Sequence, residues 1–289
     1  MKLSMETYVL REHFGDEAAI RMIKDAGFDA YDYSMYWASE PHEMLGDDYI
    51  ERARLLRQYS DGLGISCNQT HAPFEVHAED EFSVSNRKYL RLVRSLEISS
   101  ILGAKNVIVH AVKVSGQTGE SFDELNTRFY RSLLPYAEKF GVNISVENLF
   151  DWQNDRALPI LSDPKEHQAF IKSLGSDRFN ACLDIGHSAI TGYRPEEAIS
   201  EMSPDILATL HVHDNNYKYD EHLMPFSGDF DWGKIASALK HIGYRGELTF
   251  EIFGYLGRLS DQLLPDAVNY AARVGRDIIS KIENGETVS

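Results

Sequence analysis

Positive charge is scarce in this chain: 29 Lys and Arg stand against 45 Asp and Glu, a formal net charge of -16. A polyanion such as DNA is repelled by that average field, because nucleic-acid binding rests on neutralising phosphates with Lys and Arg. No nucleic-acid partner is therefore expected, and a small or cationic ligand fits better. Cysteine is equally sparse. Cys67 and Cys182 lie far apart and outside any CxxC pattern, which excludes a disulfide framework and points to a reducing compartment. No run approaches the roughly 18 apolar residues of a membrane span. The opening MKLSMETYVLREHFGDE lacks the apolar stretch of a signal peptide. A cytoplasmic protein with no membrane partner is the expectation. There is no Pro-, Gly- or Ser-rich linker and no low-complexity tract, so one domain is expected across residues 1–289.

What the chain does have is 43% hydrophobic residues, enough for one large core, arranged in a regular alternation. Short β-like runs are LSMETYV (3–9), AYDYSM (30–35), ISCNQTH (65–71), NVIVHA (106–111), NISVENL (143–149), NACLDIG (180–186), LATLHVH (207–213) and ELTFEI (247–252). Helix-period stretches separate them: 16–27, 48–64, 87–103, 121–141, 164–175, 231–243 and 263–283, with a short PEEAIS segment after the sixth run. Gly27, Gly64, Gly103, Gly141, Gly175 and Gly243 stand where such helices should stop. Eight strand–helix units predict an α/β protein, a (β/α)8 TIM barrel in a single domain. An open doubly wound sheet is the alternative, and the absence of a glycine-rich phosphate turn after the first run weakens it.

In a barrel of this kind the site forms at the C-terminal ends of the strands. Those ends carry His71, His110, Glu147, Asp184 with His187 just beyond, His213, and Glu251. Alternation turns Ser145 and Glu147 away from Ile144 and Val146, Thr249 and Glu251 away from Leu248 and Phe250, and His110 away from Val107 and Val109. The aliphatic sets suit the helix-facing layer, so the ionisable residues line the barrel mouth. Carboxylates crowded there need a compensating cation. Glu147, Asp184, Glu251 and His213 make a mixed O and N site for Mn2+, Zn2+ or Mg2+. His71, His110, His187, His211, Asp220 and His222 are further metal or substrate ligands, and Trp152, Tyr36, Trp37 and Phe74 offer apolar walls. A single strand-end acid or histidine is more often a hydrogen-bonded structural group than a ligand. The weight lies in their joint position at one end of successive strands. Glu12, Glu40, Glu79, His42, His77, His167 and His241 read as surface or capping residues.

These residues and their order resemble the xylose isomerase-like TIM barrels, a superfamily of sugar phosphate isomerases and epimerases that also holds the endonuclease IV type of apurinic endonuclease (AP endonuclease family 2). The resemblance runs through AIRMIKDAGFDAYD, THAPF, LGAKNVIVH, ISVENL, CLDIGHS, LHVHD, DEHLMPFSGDFDW and GYRGELTFEI. It implies one divalent metal on Glu147, Asp184, His213 and Glu251, with His187 on the substrate. It also implies endonuclease IV-like counterparts in His71, His110 and the Asp220–His222 pair. Departures from the free-ketose 3-epimerase pattern are Gln153 in place of an acid, Tyr217-Lys218-Tyr219 in place of an arginine, and Ser227-Gly228-Asp229 in place of GEG. The implied activity is a metal-dependent sugar or sugar phosphate isomerase or epimerase in carbohydrate metabolism, working through an enediolate. Glu147 and Glu251 would transfer the proton, and His187, Trp152 and Lys218 would meet a carbohydrate substrate. An endonuclease IV-like phosphodiesterase, or a dehydratase or lyase on the same site, is the alternative. The resemblance leaves a homodimer or a homotetramer open.

Overall fold

The computed structural model describes residues 1–36, 43–114 and 119–284. Trp37, Glu40 and His42 lie outside the described residues. Eight parallel strands form one sheet: β1 (Leu3–Glu6), β2 (Ala30–Ser34), β3 (Ser66–His71), β4 (Asn106–Val109), β5 (Asn143–Glu147), β8 (Phe179–Asp184), β9 (Leu207–His211) and β10 (Leu248–Phe250). Their order is β10-β1-β2-β3-β4-β5-β8-β9. The remaining seam is joined just past β9, where Val212 bridges Phe250 in parallel and exchanges backbone hydrogen bonds with Thr249 and Glu251 at 2.9 and 3.1 Å. The result is the expected single-domain TIM barrel.

Helices α2 (Asp16–Asp25), α3 (Tyr49–Leu63), α4 (Arg87–Leu102), α5 (Phe122–Phe140), α6 (Pro164–Ser173), α8 (Pro195–Glu201), α9 (Trp232–Ile242) and α11 (Leu264–Asn284) follow the periodic stretches. Side chains start several of them: Asn86 caps α4, Ser121 and Glu124 form a capping box on α5, and Asp163 and Asp231 cap α6 and α9. All six expected stop glycines have positive φ. Among the described residues no helix is long and apolar enough to cross a membrane.

Four elements depart from the sequence reading. The first strand stops at Glu6, and Tyr8-Val9 open a short helix α1 (Tyr8–Phe14) instead of extending it. A hairpin, β6 (Leu149–Gln153) and β7 (Arg156–Ile160), rises directly after β5, turning through Asn154 and Asp155 at φ 49° and 60°. Two consecutive left-handed residues make the tight turn that suits twisted strands, and Asn and Asp tolerate it. Asp184 begins α7 (Ile185–Ile190), so the LDIGH segment is a capped helix start; α10 (Phe253–Leu256) follows Glu251.

The strand faces divide as the alternation requires. Val107, Val109, Ile144, Val146, Leu248 and Phe250 belong to the apolar core beneath the helices. The barrel interior is polar instead. Ser4 donates to Asn68 (2.6 Å), Ser145 to Asn180 (2.6 Å) and Asn180 to Asn106 (3.0 Å), a network in which the serines are buried and the asparagines half-buried. That lattice is the floor on which the mouth residues stand.

Candidate functional site

His71, Glu147, Asp184 and His211 are the last residues of β3, β5, β8 and β9, and His110 and Glu251 follow β4 and β10 directly. All of these except His110 are buried, as is His187 on the first turn of α7. Asp220 and His222 come from the segment after β9, which Asp214 organises. Its carboxylate accepts from Asn215 N, Phe226 N, Phe230 N and the Trp232 indole at 2.8–3.2 Å. A Cβ on Gly228 would lie 2.4 Å from Asp214 Oδ1, which accounts for the glycine kept within Ser227-Gly228-Asp229. Asn148 fixes Asp184 from the neighbouring strand: its amide donates to Asp184 O at 2.9 Å and accepts from Asp184 N at 2.7 Å.

The donor atoms converge as four overlapping groups, each within 4.8 Å internally: Glu147, Asp184, His211 and Glu251; His71, His110 and Glu147; Glu147, Cys182 and His211; and His187, Asp220 and His222. The central group holds His211 where His213 was expected. His211 Nδ1 lies 2.9 Å from Glu147 Oε1, 3.3 Å from Glu251 Oε2 and 3.9 Å from Asp184 Oδ2. His213 stands farther out, with Nε2 3.1 Å from Asp184 Oδ1 and its ring stacked on His222 at 3.8 Å. It crosses directly over Gly186, where a Cβ would lie 1.9 Å from the imidazole, so the glycine of LDIGH serves this close approach.

Several of these contacts set acceptor against acceptor. His71 Nδ1 faces Ala72 O at 2.9 Å, which assigns that nitrogen the proton and leaves Nε2 a lone pair. That lone pair points at His110 Nε2 (3.0 Å) and Glu147 Oε2 (3.4 Å). His222 repeats the pattern, with Nδ1 on the Glu251 carbonyl (2.8 Å) and Nε2 turned to Asp220 at 3.1 Å. His187 sets Nδ1 on Asn148 O (2.9 Å) and Nε2 3.5 Å from Asp220. Against its burial, the negative Asp184 and Asp220 hold it well above its ordinary range. Glu147 Oε2 and Asp220 Oδ1 are buried without a hydrogen-bond donor. Converging buried lone pairs of carboxylate oxygen and imidazole nitrogen suit a divalent cation of the Mn2+ or Zn2+ kind.

The charges follow. Burial pushes the Glu147 carboxyl up, but the neighbouring imidazoles, His211 above all, outweigh it and hold Glu147 well below the usual range. Glu251 goes the other way: burial, aided by the negative Glu147 and Asp184, raises it well above. Burial lowers His110 to about 4. Two further acids lie at the base of the site and were missed from sequence. Glu6 ends β1 and is pushed up to about 8 by burial, and Asp32 on β2 is equally buried. Both occupy the alternation parity of the inner face, which was the available signal.

The mouth opens into a cavity of about 420 Å3 whose floor is Glu147, Glu251, His71, His110, His187, Asp220 and His222. Its walls include Tyr36 and Phe74, as expected, and Leu149, Phe150 and Phe253, which sequence reasoning missed. Trp152 and Lys218 are exposed and do not line it. His77, read as a surface residue, does line it; His167 is fully buried and bonded to Val146 O at 2.9 Å, so it is no surface residue. Among the described residues Lys113 is the one lysine or arginine on the wall, and Asp151 pairs with it at 2.8 Å.

A family model described as xylose isomerase-like TIM barrel matches residues 20–275. The D-psicose 3-epimerase of Agrobacterium fabrum is 28% identical over 118 residues, 41% of this chain and 37% of that protein. A D-tagatose 3-epimerase-like protein of known structure superposes with a TM-score of 0.76 at 19% identity, over 99% of both chains. The IolI protein, crystallised with a zinc atom, superposes with a TM-score of 0.70 at 16% identity over all of both chains. At those identities the structural likeness is one of fold.

Proposed function

The chain belongs to the xylose isomerase-like TIM barrel family, and from that premise we propose that it is a divalent-metal-dependent isomerase or epimerase acting on an unphosphorylated sugar. One observation carries the reading: the two acids Glu147 and Glu251 flank His211 Nδ1, at 2.9 and 3.3 Å, at the base of a half-enclosed cavity. Glu147, Asp184, His211 and Glu251 would hold the ion. When bound, it supplies the positive charge that stabilises an enediolate oxygen. The protein's own groups do the rest. Glu147 and Glu251 come from strands well separated around the barrel, so they reach the substrate carbon from different sides, one taking the proton and the other returning it. His187, held by Asn148 O and Asp220, donates to or accepts from a substrate oxygen. Tyr36, Phe74, Phe150 and Phe253 cover the apolar face of the sugar ring and keep water out. Among the described residues the one lysine or arginine of the wall, Lys113, is paired with Asp151, which supports a substrate without a phosphate group. The likeness to sugar 3-epimerases supports the class of reaction.

The test is solvent exchange. Free ketoses incubated with metal-loaded protein in D2O should gain deuterium at the carbon beside the carbonyl, read by NMR, and Glu147→Gln or Glu251→Gln should stop it. Retention of exchange in either variant removes that residue from proton transfer.

A second reading, an endonuclease IV-like phosphodiesterase, is favoured by the two additional donor groups around His71–His110 and His187–Asp220–His222. Ion stoichiometry separates the two. About one ion per chain supports the isomerase, whereas two or three with cleavage of abasic DNA supports the phosphodiesterase.

A further inference from the structure

We propose that Asp32 is a positioning residue: its carboxylate takes the Nε2–H of His211 and so presents the Nδ1 lone pair to Glu147, Asp184 and Glu251. The inference rests on the metal reading above and adds a residue from outside the donor groups.

The histidines of the mouth fix their orientation in two ways. His71, His187 and His222 each direct Nδ1 to a backbone carbonyl, of Ala72, Asn148 and Glu251, at 2.9, 2.9 and 2.8 Å. A neutral imidazole has one N–H and one lone pair, so in each the carbonyl assigns the proton to Nδ1 and frees Nε2. His211 is reversed. Its Nδ1 faces the acids, and its Nε2 looks down into the barrel, where the partner within ion-pair range is Asp32 Oδ2 at 3.5 Å. Among the described residues Nε2 makes no hydrogen bond, Asp32 Oδ2 at 3.5 Å being the acid that faces it, and the ring is fully buried. With Nδ1 as the donor, Nε2 must carry the proton, and a buried N–H without an acceptor is costly.

Asp32 is placed for that task. It is buried on β2, and Gln69 from the adjoining β3 donates to its Oδ2 at 2.8 Å, holding the carboxylate in plane with the barrel floor. Its other oxygen has no donor. No lysine or arginine among the described residues pairs with it; the ion pair recorded is with His211. A buried carboxylate so poorly compensated is hard to explain as packing, whereas an acid behind a ligating histidine makes that histidine a better donor.

The experiment measures Mn2+ affinity on the full chain by equilibrium dialysis with elemental analysis, for wild type, Asp32→Asn and Glu6→Gln. Glu6 is the control: it is as buried as Asp32, and its carboxylate is bonded to Tyr8 N and Ser34 Oγ. Among the described residues it makes no hydrogen bond or ion pair with His211, which it meets only through space. Asp32→Asn should weaken Mn2+ by about 10- to 100-fold, while Glu6→Gln stays within about twofold of wild type. Unchanged affinity in Asp32→Asn overturns the assignment, and so does an equal loss in Glu6→Gln, which would make it a general effect of altering a buried acid of the inner face. If Asp32→Asn fails to fold, anomalous diffraction from Mn2+-loaded wild type decides: an ion on Nδ1 of His211 upholds the proposal, and an ion on Nε2 overturns it. Wild type that binds no Mn2+ at all would instead sink the metal reading itself.

Discussion

Replacing Glu251 by Gln should make the metal-free protein more stable while destroying its activity. The side chain is buried, and its carboxylate lies within 4.8 Å of those of Glu147 and Asp184. At that separation each pair of like charges repels by roughly 3.5 kcal/mol at an effective dielectric near 20. His211, 3.3 Å away, offsets part of this, so relief on the order of 1–3 kcal/mol remains. For a chain of 289 residues the unfolding entropy is about 0.6 kcal/mol/K, and the melting temperature should rise by roughly 2–5 °C. The pH dependence has a definite sign. Burial and the neighbouring acids raise Glu251 above its ordinary 4.5, so the folded state holds a proton that the unfolded state releases. The penalty is absent below about 4.5 and grows as pH rises above it, and the advantage of Glu251→Gln grows with it. Urea titrations of chelated protein at several pH values measure this. Excess Mn2+ should reverse the order: wild type gains about 2.7 kcal/mol at a hundredfold excess over Kd, and the variant, short of one ligand, gains less. A chelated Glu251→Gln protein less stable than chelated wild type would refute the claim that these acids are assembled at a cost that an ion repays.

Other expectations are quickly checked. His211→Asn should strip most of the bound metal, whereas His213→Asn should leave the ion content near wild type, both read by elemental analysis. Ion uptake should release protons at neutral pH, because Glu251 must ionise to bind, and a lightly buffered titration detects them. Free ketoses should exchange and their phosphate esters should not, and millimolar phosphate should leave the rate unchanged, given the pairing of Lys113 with Asp151. Burial lowers His167 from 6.5 to about 4 despite its bond to Val146 O, so the unfolded state protonates first. Its share of stability, on the order of 3 kcal/mol, is intact above about 6.5 and lost as pH falls to about 4. The stability difference between wild type and His167→Gln should change across that window.

Much of the barrel is legible because two periodicities are local. Seven helices and eight strands follow apolar patterns that any short window displays. The elements that escaped are those in which local chemistry gives no such pattern or a misleading one. Tyr8 and Val9 favour a strand on composition, yet the chain turns into α1 directly after Glu6. The β6–β7 hairpin carries its signal in two residues, Asn154 and Asp155, flanked by runs too irregular to alternate cleanly.

The site was legible in composition and less so in depth. Alternation assigns a side chain to the inner or outer face, but His211 and His213 have the same parity, and parity cannot separate them. What separates them is position along the barrel axis, about 6.6 Å for two residues of strand. That position is set by where β9 ends, and the end is fixed by a distant event, the bridge of Val212 to Phe250 that joins the seam. His211 stays level with Glu147 and Asp184 for that reason, while His213 is carried outward over Gly186. Glu6 and Asp32 were readable by the same parity rule, but the first strand, read as 3–9, hid the end at Glu6, and Asp32 lies two residues short of the end of β2. Attention to the ends as read passes over both acids, although the charge balance of the mouth depends on them. An ion held by four groups at the rim is held equally by what stands behind each of them, and in this chain the histidine at the centre of the set has a carboxylate behind it where its neighbours have a backbone carbonyl.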